Sequence, residues 1–260
     1  MLTSSKLPKF FLVFVLLTVC AAVKPVFAAP NAVIQNDAGY VDISGFYHVV
    51  GEVKNTGDAW LQFIQVSASF KDQNGVVLDI KSATPWLLRL PPNTAAGFDA
   101  VELNTTLAAK IRSYTLTLIY QPAQPLSIFL RVGNLTSSKN GLGWLQVQGQ
   151  VANVGDSVSD DTIVTGTFYG ADGKVVYVAF TSPTQPTIQP GTTQAFTLSV
   201  VDTTRVSLVN TYSVAAESLQ YISVAEFQWQ PTMILGVVLL LGLFVLRRRR
   251  DRLVLRTCGT

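Results

Sequence analysis

Cysteine is almost missing from this chain: its 260 residues include two, Cys20 and Cys258, both near the ends. The stretch 29–230 has none. That excludes disulfides, thiol catalysis and cysteine-built zinc sites there, even in an oxidising compartment. Histidine is scarcer still, with His48 as the single example, so a Ser–His or Cys–His couple would have to be built on it. Charge is sparse at 13% of residues, against about 25% in an ordinary soluble domain, which excludes a disordered chain and a strongly charged nucleic-acid binder. Walker patterns and glycine-rich phosphate loops are missing, which leaves no nucleotide site, and nothing in the sequence implies a cofactor. Helical periodicity is nearly absent too, with residues 105–111 offering one turn or two.

What charge there is lies unevenly. Lys and Arg number three before residue 29, ten from 29 to 230 and six beyond; Asp and Glu number none, fifteen and one. The middle is therefore acidic by five charges, and the formal net charge of +3 comes from the two ends. The positive mean hydropathy, +0.35, likewise owes much to the ends. Lys6 and Lys9 precede the apolar run 10–23, and small residues follow at Ala28 and Ala29. That order describes a secretory signal peptide over 1–28. Cys20 lacks the small residue that a lipobox places before its cysteine. At the other end the uninterrupted apolar run 233–246 leads into Arg247, Arg248, Arg249 and Arg250. Counting from Phe227 gives the 20 residues a bilayer needs, with Trp229 at interfacial depth and the arginines as a stop-transfer anchor on anionic headgroups. The expectation is a transmembrane helix over 227–246 and a basic cytoplasmic tail over 247–260. By the positive-inside rule, 29–230 then lies outside the cell membrane.

The exported part is one unit written twice. A shift of 98 residues without a gap lays Gly51, Val53, Asn55, Gly57 and Asp58 on Gly149, Val151, Asn153, Gly155 and Asp156. The same shift pairs Val66 with Val164, Phe70 with Phe168, Gly75 with Gly173, Pro92 with Pro190, Phe98 with Phe196 and Tyr114 with Tyr212. Each copy alternates with a period of two: Tyr47, Val49, Gly51 and Val53 share one face, and His48, Val50, Glu52 and Lys54 the other. On this parity His48 is an outward-facing surface residue. Asn74-Gly75 and Asp172-Gly173 are hairpin turns. About seven strands per copy give an all-β fold of two tandem immunoglobulin-like β-sandwich domains, over 29–122 and 123–226. They join through a stiff linker at Pro122 and Pro125, and two such modules in line make a rod.

The run Gly51-Glu-Val53-Lys-Asn55-Thr-Gly57, followed by Val66-Ser-Ala-Ser-Phe70-Lys-Asp72-Gln-Asn-Gly75, resembles the FxLYD family of extracellular β-sandwich domains. The second copy carries the same pattern at Gly149–Gly155, at 164–173, and at Pro190-Gly191 before Phe196. It departs where Gly170 replaces Asp72, and the first copy departs where Asn93 follows Pro92. The resemblance covers roughly 45–100 and 143–198. It implies a non-catalytic surface module of a bacterium or archaeon, and the C-terminal tail is similar to archaeal surface-protein tails.

Little chemistry competes with that reading. Asp156, Asp160 and Asp161 form the one local acidic cluster, a calcium candidate without EF-hand spacing; Asp156 also occupies a repeated turn position. Sequons at Asn104 and Asn134 are candidate glycosylation sites. Trp60, Trp86 and Trp144 align with Val158, Thr184 and Phe46, so each is either core or a contact residue. The function expected is a non-catalytic, membrane-anchored surface module that binds an extracellular protein or glycan, or acts as a spacer. The alternatives are an accessory subunit of a membrane transporter or other membrane complex, and a cell-envelope hydrolase. Gly236 and Gly242 do not make a small-xxx-small pair for helix association, which disfavours the first alternative.

Overall fold

A computed structural model describes residues 29–229. The expected leader, the arginine tail and most of the expected span lie outside them. The described chain is all-β: β1 (Ala32–Val41), β2 (Tyr47–Asn55), β3 (Trp60–Lys71), β4 (Val77–Ala83), β5 (Arg89–Leu90), β6 (Ala95–Glu102), helix α1 (Thr105–Ala108) and β7 (Ser113–Ala123) form the first repeat. The second comprises β8 (Leu130–Lys139), β9 (Leu145–Asn153), β10 (Ile163–Tyr169), β11 (Val175–Thr181), β12 (Thr193–Val200), helix α2 (Thr203–Val206), β13 (Thr211–Glu217) and β14 (Glu226–Trp229). Shifted by 98, β1, β2, β4, β6 and α1 fall residue for residue on β8, β9, β11, β12 and α2. The backbone repeats as closely. Left-handed residues occur in pairs at the same shift: Asn36 with Asn134, Gly45 with Gly143, Phe63 with Asp161, Gly75 with Gly173 and Asn93 with Gly191.

Each repeat packs two antiparallel sheets face to face. In the first, β1-β2-β6 covers the sheet of β4, β3 and β7, with β5 short beside β3; in the second, β8-β9-β12 covers β11-β10-β13-β14. Between them lie Val49, Val53, Val66, Phe70 and Phe98, and in the second repeat Val147, Val151, Val164, Phe168 and Phe196. The repeated Gly–Phe pair is a packing device. Gly51 faces Phe98 across the ladder, and Gly149 faces Phe196. A Cβ on either glycine would lie 2.8 or 2.6 Å from the ring.

The repeated asparagine is a turn clamp. Asn55 is fully buried. Its Nδ2 donates to the carbonyls of Ala59 (2.8 Å) and Leu90 (2.9 Å), and its Oδ1 accepts from Gly57 N at 3.0 Å. Asn153 does the same with Ser157, Ile188 and Gly155 at 2.8, 2.9 and 2.9 Å. A buried amide with both ends satisfied holds two loops together, and neither Asp nor Leu could replace it without an orphaned group.

The two repeats do not form a rod. They lie side by side, the outer face of β1-β2-β6 packed on the outer face of β10-β11, so that four sheets stack. Tyr40 and Val50 meet Val175 and Val178 there, flanked by Trp86 and Tyr169. Arg205 in α2 covers the Tyr40 ring at 3.7 Å at one end, and Trp86 stacks on Phe180 with centroids 3.6 Å apart at the other. His48 does stand on the face its parity requires, but the second repeat covers that face. The linker is also shorter than expected, because Gln121, Pro122 and Ala123 pair with β3 as part of β7.

At the C-terminal side, Glu226–Trp229 pair with β13, Thr211 opposite Trp229. A membrane helix therefore does not begin at Phe227. Among the described residues no helix is long and apolar enough to cross a membrane.

Candidate functional site

The candidate residues singled out in the sequence take local places in the fold where the structure describes them. Asp156 Oδ1 accepts from the Tyr221 hydroxyl (3.0 Å) and from Ser157 Oγ (3.2 Å), bonds that hold its carboxyl below the usual range. Asp160 offers backbone groups to Gln220 Oε1 and to Leu219 N, and Asp161 is the left-handed bulge residue. Among the described residues no three acidic, histidine or cysteine side chains are placed to hold a metal ion. Both sequon asparagines are exposed, and both have backbone roles. Asn104 caps α1, its side chain accepting from Thr106 N and Leu107 N, as Asp202 caps α2. Asn134 sits in a β-bulge and donates to Gln150 Oε1 at 2.8 Å, as Asn36 donates to Glu52 Oε1 at 2.7 Å. Trp229 falls in β14, and the four arginines lie outside the described residues.

Polar groups converge instead at the joint between repeats. His48 Nδ1 lies 2.9 Å from Asp99 Oδ2, and its Nε2 approaches Asp42 Oδ2 at 3.4 Å, too long for a good hydrogen bond. Its ring stacks on Tyr40 at 4.9 Å. Burial opposes the imidazolium, but the bond and charge of Asp99, with Asp42 behind, outweigh it and raise the pKa above 6.5. Among the described residues the ring's polar side-chain partners are these two carboxylates, which makes the arrangement an ion pair when the imidazole is protonated. Glu52 joins the repeats directly, accepting from the Tyr169 hydroxyl at 2.8 Å. Glu217 reaches back the other way and accepts from Leu88 N at 2.6 Å and Arg89 N at 3.1 Å. Burial pushes its carboxyl up to about 7, and the two N–H donors and the Arg89 charge moderate the shift.

Next to the Leu88–Arg89 segment that Glu217 holds opens a groove of about 580 Å³, floored by the β3 bulge and walled by β7. Gln62, Gln65, Gln121 and Arg89 line it together with the exposed apolar groups Phe63, Leu88 and Ile119. The bulge lies where the β3–β7 register slips between Gln62 and Gln65. It puts Phe63 at φ 49° with 70% of its surface exposed. A left-handed backbone costs a non-glycine residue roughly 1 kcal/mol, least for Asn or Asp. The second repeat follows that rule with Asp161 at φ 52°; the first puts a phenyl ring there. Sequence reading did not find this groove. Its only trace was negative, in the unmatched pairs Phe63/Asp161, Leu88/Pro186 and Ile119/Glu217.

No family model matches the chain, and no curated protein matches it. Among solved structures, red sea bream transglutaminase aligns at 13% identity and a TM-score of 0.28, over 86% of this chain and 34% of its own. The Amycolatopsis orientalis exo-chitosanase CsxA aligns at 12% identity and a TM-score of 0.29, over 76% of this chain and 26% of its own. The chain thus spans a third or less of the CsxA chain and about a third of the transglutaminase, and likenesses this slight carry no argument about its activity.

Proposed function

We propose that the chain is a non-catalytic, membrane-anchored surface protein whose paired immunoglobulin-like sandwiches carry a binding groove on the first repeat. The observation that carries this reading is Phe63: an exposed aromatic ring, on a backbone position that favours Asp, is unexplained by folding and explained by contact with a ligand. Amides from Gln62, Gln65 and Gln121 and the Arg89 guanidinium ring it with donors and acceptors. An apolar face amid planar polar groups suits a saccharide ring of an extracellular glycan. The repeated Gly–Phe and Asn clamps support kinship with FxLYD-like surface modules. The leader and the C-terminal apolar run with its arginines support export and anchoring.

Location is tested first: the chain resists alkaline extraction from membranes and is shaved by protease from intact cells, whereas recovery in the soluble fraction refutes the anchor. For the groove, affinity electrophoresis in cell-envelope polysaccharide compares the wild type with Phe63→Asp, the residue the second repeat uses. Retardation of the wild type and its loss in the variant support the reading, and equal mobility of the two sinks it.

A further inference from the structure

We propose that the end of the second sandwich bearing α2 lies against the lipid bilayer, with a rim of exposed aliphatic side chains at the headgroup level. The inference rests on the membrane-anchor reading and adds a defined orientation to it.

The argument begins at the chain's exit. β14 runs toward the helix end, since Trp229 pairs with Thr211, the residue that also pairs with Tyr169 at the far end of β10. Only Gln230, Pro231 and Thr232 separate Trp229 from the apolar run that starts at Met233. Four Cα steps reach at most about 14 Å, so a span starting there cannot let the sandwich stand away from the membrane. With Phe227–Trp229 committed to a strand, residues 230–246 number 17, the lower limit for a span, which draws Trp229 closer still.

The loops at that end are fixed by contacts. Gly170 approaches the carbonyl of Leu208, and Asn210 N donates to Tyr169 O at 2.8 Å, which brings the β10–β11 turn beside the segment after α2. Gly143, in the β8–β9 turn, lies against Thr203 of α2. Arg205 over Tyr40 adds the β1–β2 turn, and Gly45 lies against Thr105 of α1. Exposed aliphatic side chains stand in the β8–β9 turn and on either side of α2, namely Leu142 (65% exposed), Val201 (41%) and Leu208 (46%), with Ile43 (66%) in the β1–β2 turn. Exposed aliphatics also occur at the opposite end, Leu219 at 64% among them, and single ones need no explanation. What distinguishes this end is that the chain leaves from it. The acidic groups there are largely spent on turns: Asp42 accepts from Ser44 N and Phe46 N, Asp172 from Lys174 N, and Asp202 caps α2. The aliphatic side chains stand among exposed polar and basic ones, Lys139 and Lys174 among them, a mixture that suits shallow insertion at headgroup level.

The test uses the full chain in phosphatidylcholine vesicles, with Cys20→Ser and Cys258→Ser removing the native thiols. Single cysteines Leu142→Cys, Leu208→Cys and, at the opposite end, Leu219→Cys carry an environment-sensitive fluorophore. All three positions are exposed, so folding is unaffected. Lipid with a nitroxide on its headgroup quenches the labels at 142 and 208 and leaves the label at 219 at full intensity. If the chain floats with the vesicles but labels at both ends keep their intensity, the orientation is wrong and the anchor stands. Thiol-to-thiol cross-linking at 142 or 208 without quenching means that a second copy covers the rim, which also overturns the proposal. A chain that does not float refutes the anchor itself, and the orientation with it.

Discussion

Trp86 of the first repeat lies flat on Phe180 of the second, ring centroids 3.6 Å apart and planes 20° from parallel. Neither residue has an aromatic counterpart at the 98-residue shift, where Thr184 and Ser82 stand. The pair therefore belongs to the joint and not to either sandwich. A double-mutant cycle with Trp86→Ala and Phe180→Ala, followed by chemical denaturation, is expected to give a coupling energy of about 1 kcal/mol. Additive losses would mean that the rings act independently.

Gly97 marks how closely the sheets approach. A Cβ there would lie 2.6 Å from Thr167 Oγ1 and 3.0 Å from a Val178 methyl. Gly97→Ala should destabilise by roughly 1–2 kcal/mol through overpacking. The second repeat has Ala195 at the equivalent position, on an open face. Ala195→Gly should cost no more than about 1 kcal/mol, the strand penalty of glycine alone. Equal effects in thermal melts would contradict the packing described.

The asparagine clamps should behave alike. Asn55→Ala or Asn153→Ala strands one buried carbonyl and leaves a part-buried carbonyl and a part-buried N–H to water, a loss of roughly 1–3 kcal/mol by the cost of unmet hydrogen bonds. Urea midpoints measure this. A near-neutral substitution at either site would show that the loops hold without the amide.

Stability should fall as pH rises from acid to alkaline. Glu217 has a folded pKa of about 7 against 4.5 for the free side chain. Its contribution is complete below 4.5 and is lost as pH climbs to about 7, a change of roughly 2–3 kcal/mol. His48, raised above 6.5, contributes fully below 6.5 and loses that contribution as pH passes through its folded value. In melting curves Glu217→Gln should flatten the lower part of the profile and His48→Gln the upper part. A variant profile parallel to the wild type would remove that residue from the joint.

The fold was legible because its requirements are local. Alternation, hairpin glycines and the Asn55 and Asn153 turns each act within a few residues, and duplication showed which of them mattered. The same logic hid the joint. His48, Val50 and Glu52 form the outward half of an alternating strand whether water or another sheet covers them, and only their counterparts Gln146, Gln148 and Gln150 hint at the difference. Glu217 and Leu88 lie 129 positions apart, beyond any pattern window. The groove was hidden because its floor is a β-bulge between Gln62 and Gln65, and no local pattern in the sequence marks where a strand takes an extra residue.

The joint has a geometric corollary. It is heterologous, pairing one sheet's outer face with a different sheet's outer face. Repeated on identical modules, such a contact would continue without closing and yield a filament. The two outward faces of this pair carry other residues and do not repeat the contact: Gln148 and Ser138 stand where the joint has Val50 and Tyr40, and Ser82 and Lys71 where it has Phe180 and Tyr169. Divergence after duplication thus confined the contact to one pair of faces, in the way that capping residues confine stacking in a solenoid.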